Sequence, residues 1–192
     1  MRTATITRQT SETNITLSLN LDGGKAEIST GIGFFDHMLN SLAVHSGFGL
    51  SVMAKGDLNV DGHHTVEDVG IVLGQAMAKA LGDKKGIKRF ASAMAPMDEC
   101  LALAVVDVSG RPFFVFDAPD LSLAKVGEFD ASLTEEFFRA LAFNAGITLH
   151  MKVAYGTNAH HMIEALFKAL ALTLKDAVRI IGDNIPSSKG VL

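Results

Sequence analysis

The chain has 192 residues, 48% of them apolar, enough to bury the core of one domain or of two small halves. A net charge of −4 with histidines neutral gives no general case for nucleic-acid or bilayer binding, and a single cysteine, Cys100, excludes an intrachain disulfide and points to a cytoplasmic setting. "MRTATITRQTSE" lacks the apolar core of a signal peptide, and no segment reaches the roughly 20 apolar residues of a membrane span.

In chain order, residues 3–10 read as a strand. Residues 15–21 alternate strictly, with Ile15, Leu17, Leu19 and Leu21 on one face and Thr16, Ser18 and Asn20 on the other, which predicts a half-exposed antiparallel strand. "DGG" at 22–24 reads as a hairpin turn into a strand over 25–30. A helix is expected over 34–46, a strand over 48–58 and a helix over 65–81, with Gly82 as a left-handed cap. Gly70 and Gly74 leave a groove on that helix suited to close packing. "GDKKGIKRF" at 82–90 carries Lys84, Lys85, Lys88 and Arg89, as a solvated loop or as the holder of an anion.

A strand over 99–108 starts near Cys100, read as a buried strand residue, and "VSGRP" with Arg111 joins it tightly to a strand over 112–117. Leu133, Phe137, Leu141 and Asn144, with Phe138 and Ala142 beside them, give helical spacing over 132–145. A strand follows over 147–155, in which His150 reads as structural, and a helix over 161–181 capped by Gly182. The tail "IPSSKGVL" reads as a frayed end or, through its hydroxyls, Lys189 and Gly190, as a phosphate contact.

The chain repeats itself. A shift of 99 carries Leu42-Ala43 onto Leu141-Ala142, Gly47 onto Gly146 and Leu50 onto Leu149, and a shift of 97 carries His63-His64 onto His160-His161, Glu67 onto Glu164, Leu73 onto Leu170 and Ala80 onto Ala177. The expected organisation is one domain of two similar halves, about 1–90 and 91–192.

At a helix start, Glu67 shares a face with His63 or His64, while the two rings diverge by about 100° around the axis. One mononuclear site would struggle to use both rings; two ions can take one each. The duplicated motif supplies four imidazoles and two carboxylates, a shell suited to Mn²⁺, Fe²⁺, Co²⁺ or Zn²⁺. A lone "HHxxE" would read as an ordinary helix start; its recurrence in register favours metal binding. His37 and His45, eight residues apart on the preceding helix, fit a shared broad face, a core or the surface.

The motifs "GFFDHML" (33–39), "DGHHTVEDVGI" (61–71), "NAGITLH" (144–150), "HHMIEALFKAL" (160–170) and "PSSKG" (186–190) together resemble the imidazoleglycerol-phosphate dehydratase family, in its monofunctional form, over nearly the whole chain. The resemblance implies a hydro-lyase of histidine biosynthesis that removes water from imidazole glycerol phosphate to give imidazole acetol phosphate. It implies a duplicated α+β fold, with two sheets enclosing a helix layer, and two Mn²⁺ per active site. The implied ligands are His37, His63, His64, Glu67, His160, His161 and Glu164, with Glu136, opposite His37 in the repeat, as the eighth. Glu12, His45 and Lys168 are implied as acid–base or substrate groups, with His37 also at the substrate. Arg89, Arg111, Ser187, Ser188 and Lys189 would bind the phosphate. A homo-oligomer of 24 subunits with sites shared between chains is implied, with neither nucleic acid nor membrane as partner. The alternatives are a non-catalytic di-metal storage protein, which a ferritin-like bundle would provide, and a dinuclear metallohydrolase.

Overall fold

The computed structural model describes residues 1–121, 123–190 and 192. The first half runs β1 (Thr3–Gln9), β2 (Thr13–Asn20), β3 (Ala26–Ser29), α1 (Gly33–Ser46), β4 (Gly49–Gly56) and α2 (His63–Leu81). The second runs β5 (Phe90–Met97), β6 (Cys100–Asp107), β7 (Phe113–Asp117), the short strands β8 (Lys125–Val126) and β9 (Phe129–Asp130), α3 (Leu133–Ala145), β10 (Thr148–Tyr155) and α4 (Ala159–Ala177). The mixed α+β class holds.

The sheets have matching orders, β1-β2-β4-β3 and β5-β6-β10-β7, and in each the last pair is parallel. The register matches as well. Thr3 faces Asn20 in β1–β2 and Phe90 faces Asp107 in β5–β6, each partner displaced by 87. Leu19 faces Leu50, and Val106 faces Leu149. The first two strands thus match at a shift of 87, β3 and β7 at 88, α1 and β4 with α3 and β10 at 99, and the histidine motifs of α2 and α4 at 97. Of the difference, 99 − 87 = 12, one residue is gained between β6 and β7 and eleven between β7 and α3, where β8 and β9 lie.

Strand alternation produces the buried faces. Ile15, Leu17 and Leu19 of β2 are buried, as are Cys100, Ala102, Ala104 and Val106 of β6. Helices cover these faces: α2 lies on β1 and β2, and α4 on β5 and β6. Helix α2 also packs on α3, and α4 on α1, so helices of both halves interlock between the sheets in one continuous apolar core. Gly70 and Gly74 admit α3 closely. A Cβ on Gly74 would stand 2.7 Å from Leu141 O and 2.9 Å from Ala145 N. Gly47 and Gly146 end α1 and α3 in the left-handed conformation, each N–H returning to the matching alanine, Ala43 O or Ala142 O.

Four expectations need correction. "DGG" is not a hairpin turn, because β3 does not pair with β2; it crosses to the far edge of β4 and runs parallel to it. Gly23 and Gly24, at φ 121° and 144°, let the backbone pass against Gly49. The fourth helix stops at Ala177, not 181, and Gly182 is not its cap. There the chain leaves the helix to meet residues 86–89: Arg89 N–H donates to Ala177 O and Lys88 N–H to Arg179 O. The sequence reading assigns no element to residues 91–97, which together with Phe90 form strand β5. His150 is exposed on the outer face of β10 and is not among the core side chains.

Candidate metal centre

The two helices that begin with histidine pairs start in the same way. Asp61 Oδ1 accepts from His63 N–H at 2.7 Å, and Asn158 Oδ1 accepts from His160 N–H at 2.9 Å. These local turns aim the first ring of each pair along its helix, toward a glutamate one turn on. His160 Nε2 lies 3.2 Å from Glu164 Oε2, and His63 Nε2 lies 3.8 Å from Glu67 Oε2.

In the second half the pair meets a third donor. His37, on α1, brings its Nε2 to 3.4 Å from Glu164 Oε2. His37, His160 and Glu164 offer donor atoms all within 4.8 Å of one another. Thr30 holds the start of α1 by donating its backbone N–H and its hydroxyl to Asp36 Oδ1, at 2.8 and 2.6 Å, and Phe34 packs edge-on against His160 at 5.0 Å. Two imidazole nitrogens and a carboxylate oxygen converging on one point are the donor set a first-row divalent cation takes, so these residues fit a metal.

Glu164 is buried. Burial opposes its ionisation, but the Lys168 ammonium, 2.8 Å away, with His37 and His160 outweighs that and holds its carboxyl below the ordinary range. Lys168 is therefore engaged with the Glu164 carboxylate. The corresponding trio of the first half is not gathered in this way. His63 and Glu67 adjoin, but Glu136 is paired with Arg139 on its own helix.

The second histidine of each pair turns away from the first, the ring planes standing at 88° for His63–His64 and 81° for His160–His161. Divergence of neighbouring rings was expected from helix geometry. The carboxylates that meet the second rings were not foreseen. Asp57, just beyond β4, lies 3.0 Å from His64 Nδ1, and Glu99, in the β5–β6 turn, lies 2.7 Å from His161 Nδ1. The Asp57 bond raises the affinity of His64 for a proton, and the Glu99 bond does the same for His161. His161, with the Asn158 N–H, in turn pulls the Glu99 carboxyl down to about 2. Glu12, in the β1–β2 turn, stands 3.8 Å from His64 Nδ1 and is half exposed. His45 lies in the last turn of α1, two turns from His37, and does not join the trio.

The residues expected to bind phosphate gather elsewhere. Arg89 donates from Nε to Asp107 at 2.6 Å and from Nη1 to Pro186 O at 2.7 Å, which brings the tail carrying Ser187, Ser188 and Lys189 beside it. Arg111 lies 3.8 Å from the same Asp107. Lys88 of the basic run pairs with Asp176. Arg89 precedes β5, whereas Glu99 and His161 stand at its far end. An eight-residue strand is about 25 Å long, so one chain separates these basic groups from its own His161.

Fold and site together define a mixed α+β protein built around paired histidine–carboxylate motifs that suit divalent metal. The family model described as imidazoleglycerol-phosphate dehydratase matches residues 30–174. The imidazoleglycerol-phosphate dehydratase of Acetivibrio thermocellus is 59% identical over 190 residues, covering 97% of each chain, and that of Lacticaseibacillus casei is 60% identical over the full length of both. The crystal structure of the Staphylococcus aureus enzyme of that name superposes with a TM-score of 0.83 at 43% identity, covering 91% of this chain and 97% of its own. A Pyrococcus furiosus structure, described as IGPD in complex with (S)-C348, gives 0.85 at 38% identity, covering 97% and 100%. The chain belongs to the imidazoleglycerol-phosphate dehydratase family, a family of hydro-lyases.

Proposed function

We propose that this chain removes water from imidazole glycerol phosphate to give imidazole acetol phosphate, a step of histidine biosynthesis, with two Mn²⁺ per active site. The observation that carries the reading is the convergence of His37, His160 and Glu164 from helices of both halves on one cation-sized point. His37, His160 and Glu164 would hold one ion, and His63 and Glu67 would serve the other. His64 and His161, turned away from these groups, would complete shells in neighbouring copies. Glu136 would join the second shell on release from Arg139. When bound, the cations draw electron density from the substrate's ring nitrogens.

The chain's own groups supply the rest. Glu12 accepts and returns protons beside the ring, since its carboxylate is solvent-accessible and borders the His64 imidazole. Lys168 keeps Glu164 ionised and, with His45, would serve as a substrate or acid–base group. Arg89 and Arg111, tied together by Asp107, would face the phosphate, with Ser187, Ser188 and Lys189 closing on it.

The separation along β5 supports a homo-oligomer with shared sites. A three-carbon phosphate is far shorter than that strand, so a second copy brings the basic group to the metal. The outer face of the second sheet exposes Phe90, Met94, Val105, Phe113 and Val115, an apolar patch of the kind that copies bury against one another. An assembly of 24 subunits in the cytoplasm fits this reading, and no helix among the described residues is long and apolar enough to cross a membrane. The helical storage bundle expects little strand, and two four-stranded sheets disagree with it. The test is to strip metal, restore Mn²⁺ and follow imidazole glycerol phosphate turnover while counting bound ions per chain. Turnover rising to a plateau at two ions per chain is expected. Full turnover in the stripped protein would overturn the reading.

A further inference from the structure

The shift of 87 that relates the opening strands carries Glu12 onto Glu99, so the two carboxylates occupy the same step of matching turns. Each faces the second histidine of its half, but they are used differently. Glu99 Oε2 accepts from His161 Nδ1 at 2.7 Å, while its Oε1 accepts from the backbone N–H of Asn158 at 2.9 Å and of Thr157 at 3.2 Å. Those backbone bonds fix the carboxylate at the start of α4. Glu12 stands 3.8 Å from His64 Nδ1, because that nitrogen is already held by the two oxygens of Asp57 at 3.0 and 3.2 Å.

The reason for the asymmetry lies one strand away. A shift of 99 carries Asp57 onto Gly156, which has no side chain to offer. A Cβ at Gly156 would stand 2.8 Å from Met162 Cγ and 3.0 Å from Cys100 Sγ, so an aspartate there would have to displace both side chains. In the first half the residue after β4 holds the histidine. In the second half that place is a glycine, and the turn carboxylate holds it. Asp98, 3.8 Å from His161 Nε2 and largely exposed, does not compete for Nδ1.

We propose that Asp57 and Glu99 are positioning residues that fix the His64 and His161 imidazoles with Nδ1–H toward the carboxylate and Nε2 free for a cation, leaving Glu12 as the uncommitted member of its pair. A neutral imidazole has one lone pair. A carboxylate that accepts Nδ1–H places that lone pair on Nε2, fixes the ring about its bond to the chain and raises its basicity. With Glu99 and Asp57 committed to this task, Glu12 is the one of these three carboxylates left available for proton transfer. The assignment rests on the reading of His64 and His161 as metal ligands.

The test is a Mn²⁺ titration of metal-stripped full-length protein, with free ion counted from its electron paramagnetic resonance signal, on the parent, E99Q, D57N, E12Q and H161A. Outer-shell partners of ligating histidines are typically worth 10–100-fold in affinity, so E99Q and D57N should each weaken Mn²⁺ binding by about that factor while E12Q binds as the parent does. Parent-like binding by both E99Q and D57N, with binding lost in H161A, overturns the proposal and leaves the metal reading standing. Parent-like binding by H161A as well removes the ligand reading and this proposal with it. A loss confined to one amide variant supports the assignment for its own histidine and overturns it for the other. If E99Q does not fold, D57N decides alone, since it lies in the other half of the chain.

Discussion

Glu12 and Glu99 show how surroundings separate two carboxylates with the same place in the chain's pattern. Glu99 carries four hydrogen bonds to its side-chain oxygens, from His161, the Asn158 N–H, and the N–H and hydroxyl of Thr157; Glu12 borders an imidazole and meets solvent. E12Q should therefore keep Mn²⁺ bound and lose about 10²–10⁴-fold in turnover, the range for a lost general acid–base group. Full activity in that variant removes Glu12 from the reaction. The Glu99–His161 pair also has a pH signature in the metal-free protein. Glu99, drawn down to about 2, adds stability that is complete above its ordinary 4.5 and is lost as pH falls toward 2. His161 is raised above 6.5, so its share is complete below 6.5 and is lost as pH rises through its folded value. The thermal midpoint of the metal-free parent should exceed that of E99Q most between pH 4.5 and 6.5, and the gap should narrow on either side. A gap that stays constant from pH 3 to 8 would contradict the pairing.

Helices α2 and α3 meet backbone to backbone, and Gly74 permits it. Alanine there would gain about 1 kcal/mol of helix propensity. Its methyl group would press on Leu141 O and Ala145 N, and such overpacking typically costs about 1–3 kcal/mol. Because the obstacles are backbone atoms, the crowding should win and G74A should melt below the parent; a higher midpoint would contradict the close approach. This contact was readable from two glycines four apart on an apolar helix. The histidine helices were readable too, since the "HHxxE" repeat is both a helix start and a donor set. Strand β5 was hidden because "FASAMAPM" buries only small alanines, Ala91 and Ala95, and contains Pro96, so it lacks the branched alternation that marks β2. The β3 crossover was hidden because Gly23-Gly24 permits either a hairpin or a passage over Gly49, and sheet pairing decides between them. Glu99 was hidden because the opening strands repeat at 87, not at the 97 of the histidine motifs, and Asp57 because its counterpart at a shift of 99 is Gly156.

A single copy holds a metal-binding group and a basic group that its own β5 keeps apart. On the proposed function, a site that uses both groups draws them from two copies. Metal-loaded protein should elute as a large particle, and an active monomer would refute the shared site. Subunit mixing gives a sharper check. H161A lacks a metal arm and R111A lacks a phosphate arm, so each alone should be nearly inactive. Co-assembled from the two variants, mixed particles should regain turnover at sites that draw each arm from an intact copy. No recovery in verified mixed particles would place both arms within one chain.

The most direct measurement is diffraction from Mn²⁺-loaded crystals, with anomalous scattering used to locate the ions. Two ions at each site should appear, one bound by His37, His160 and Glu164 and the other by His63 and Glu67, with His64 and His161 completing the shells. Either histidine doublet turned to open solvent, with no anomalous peak beside it, would contradict the account.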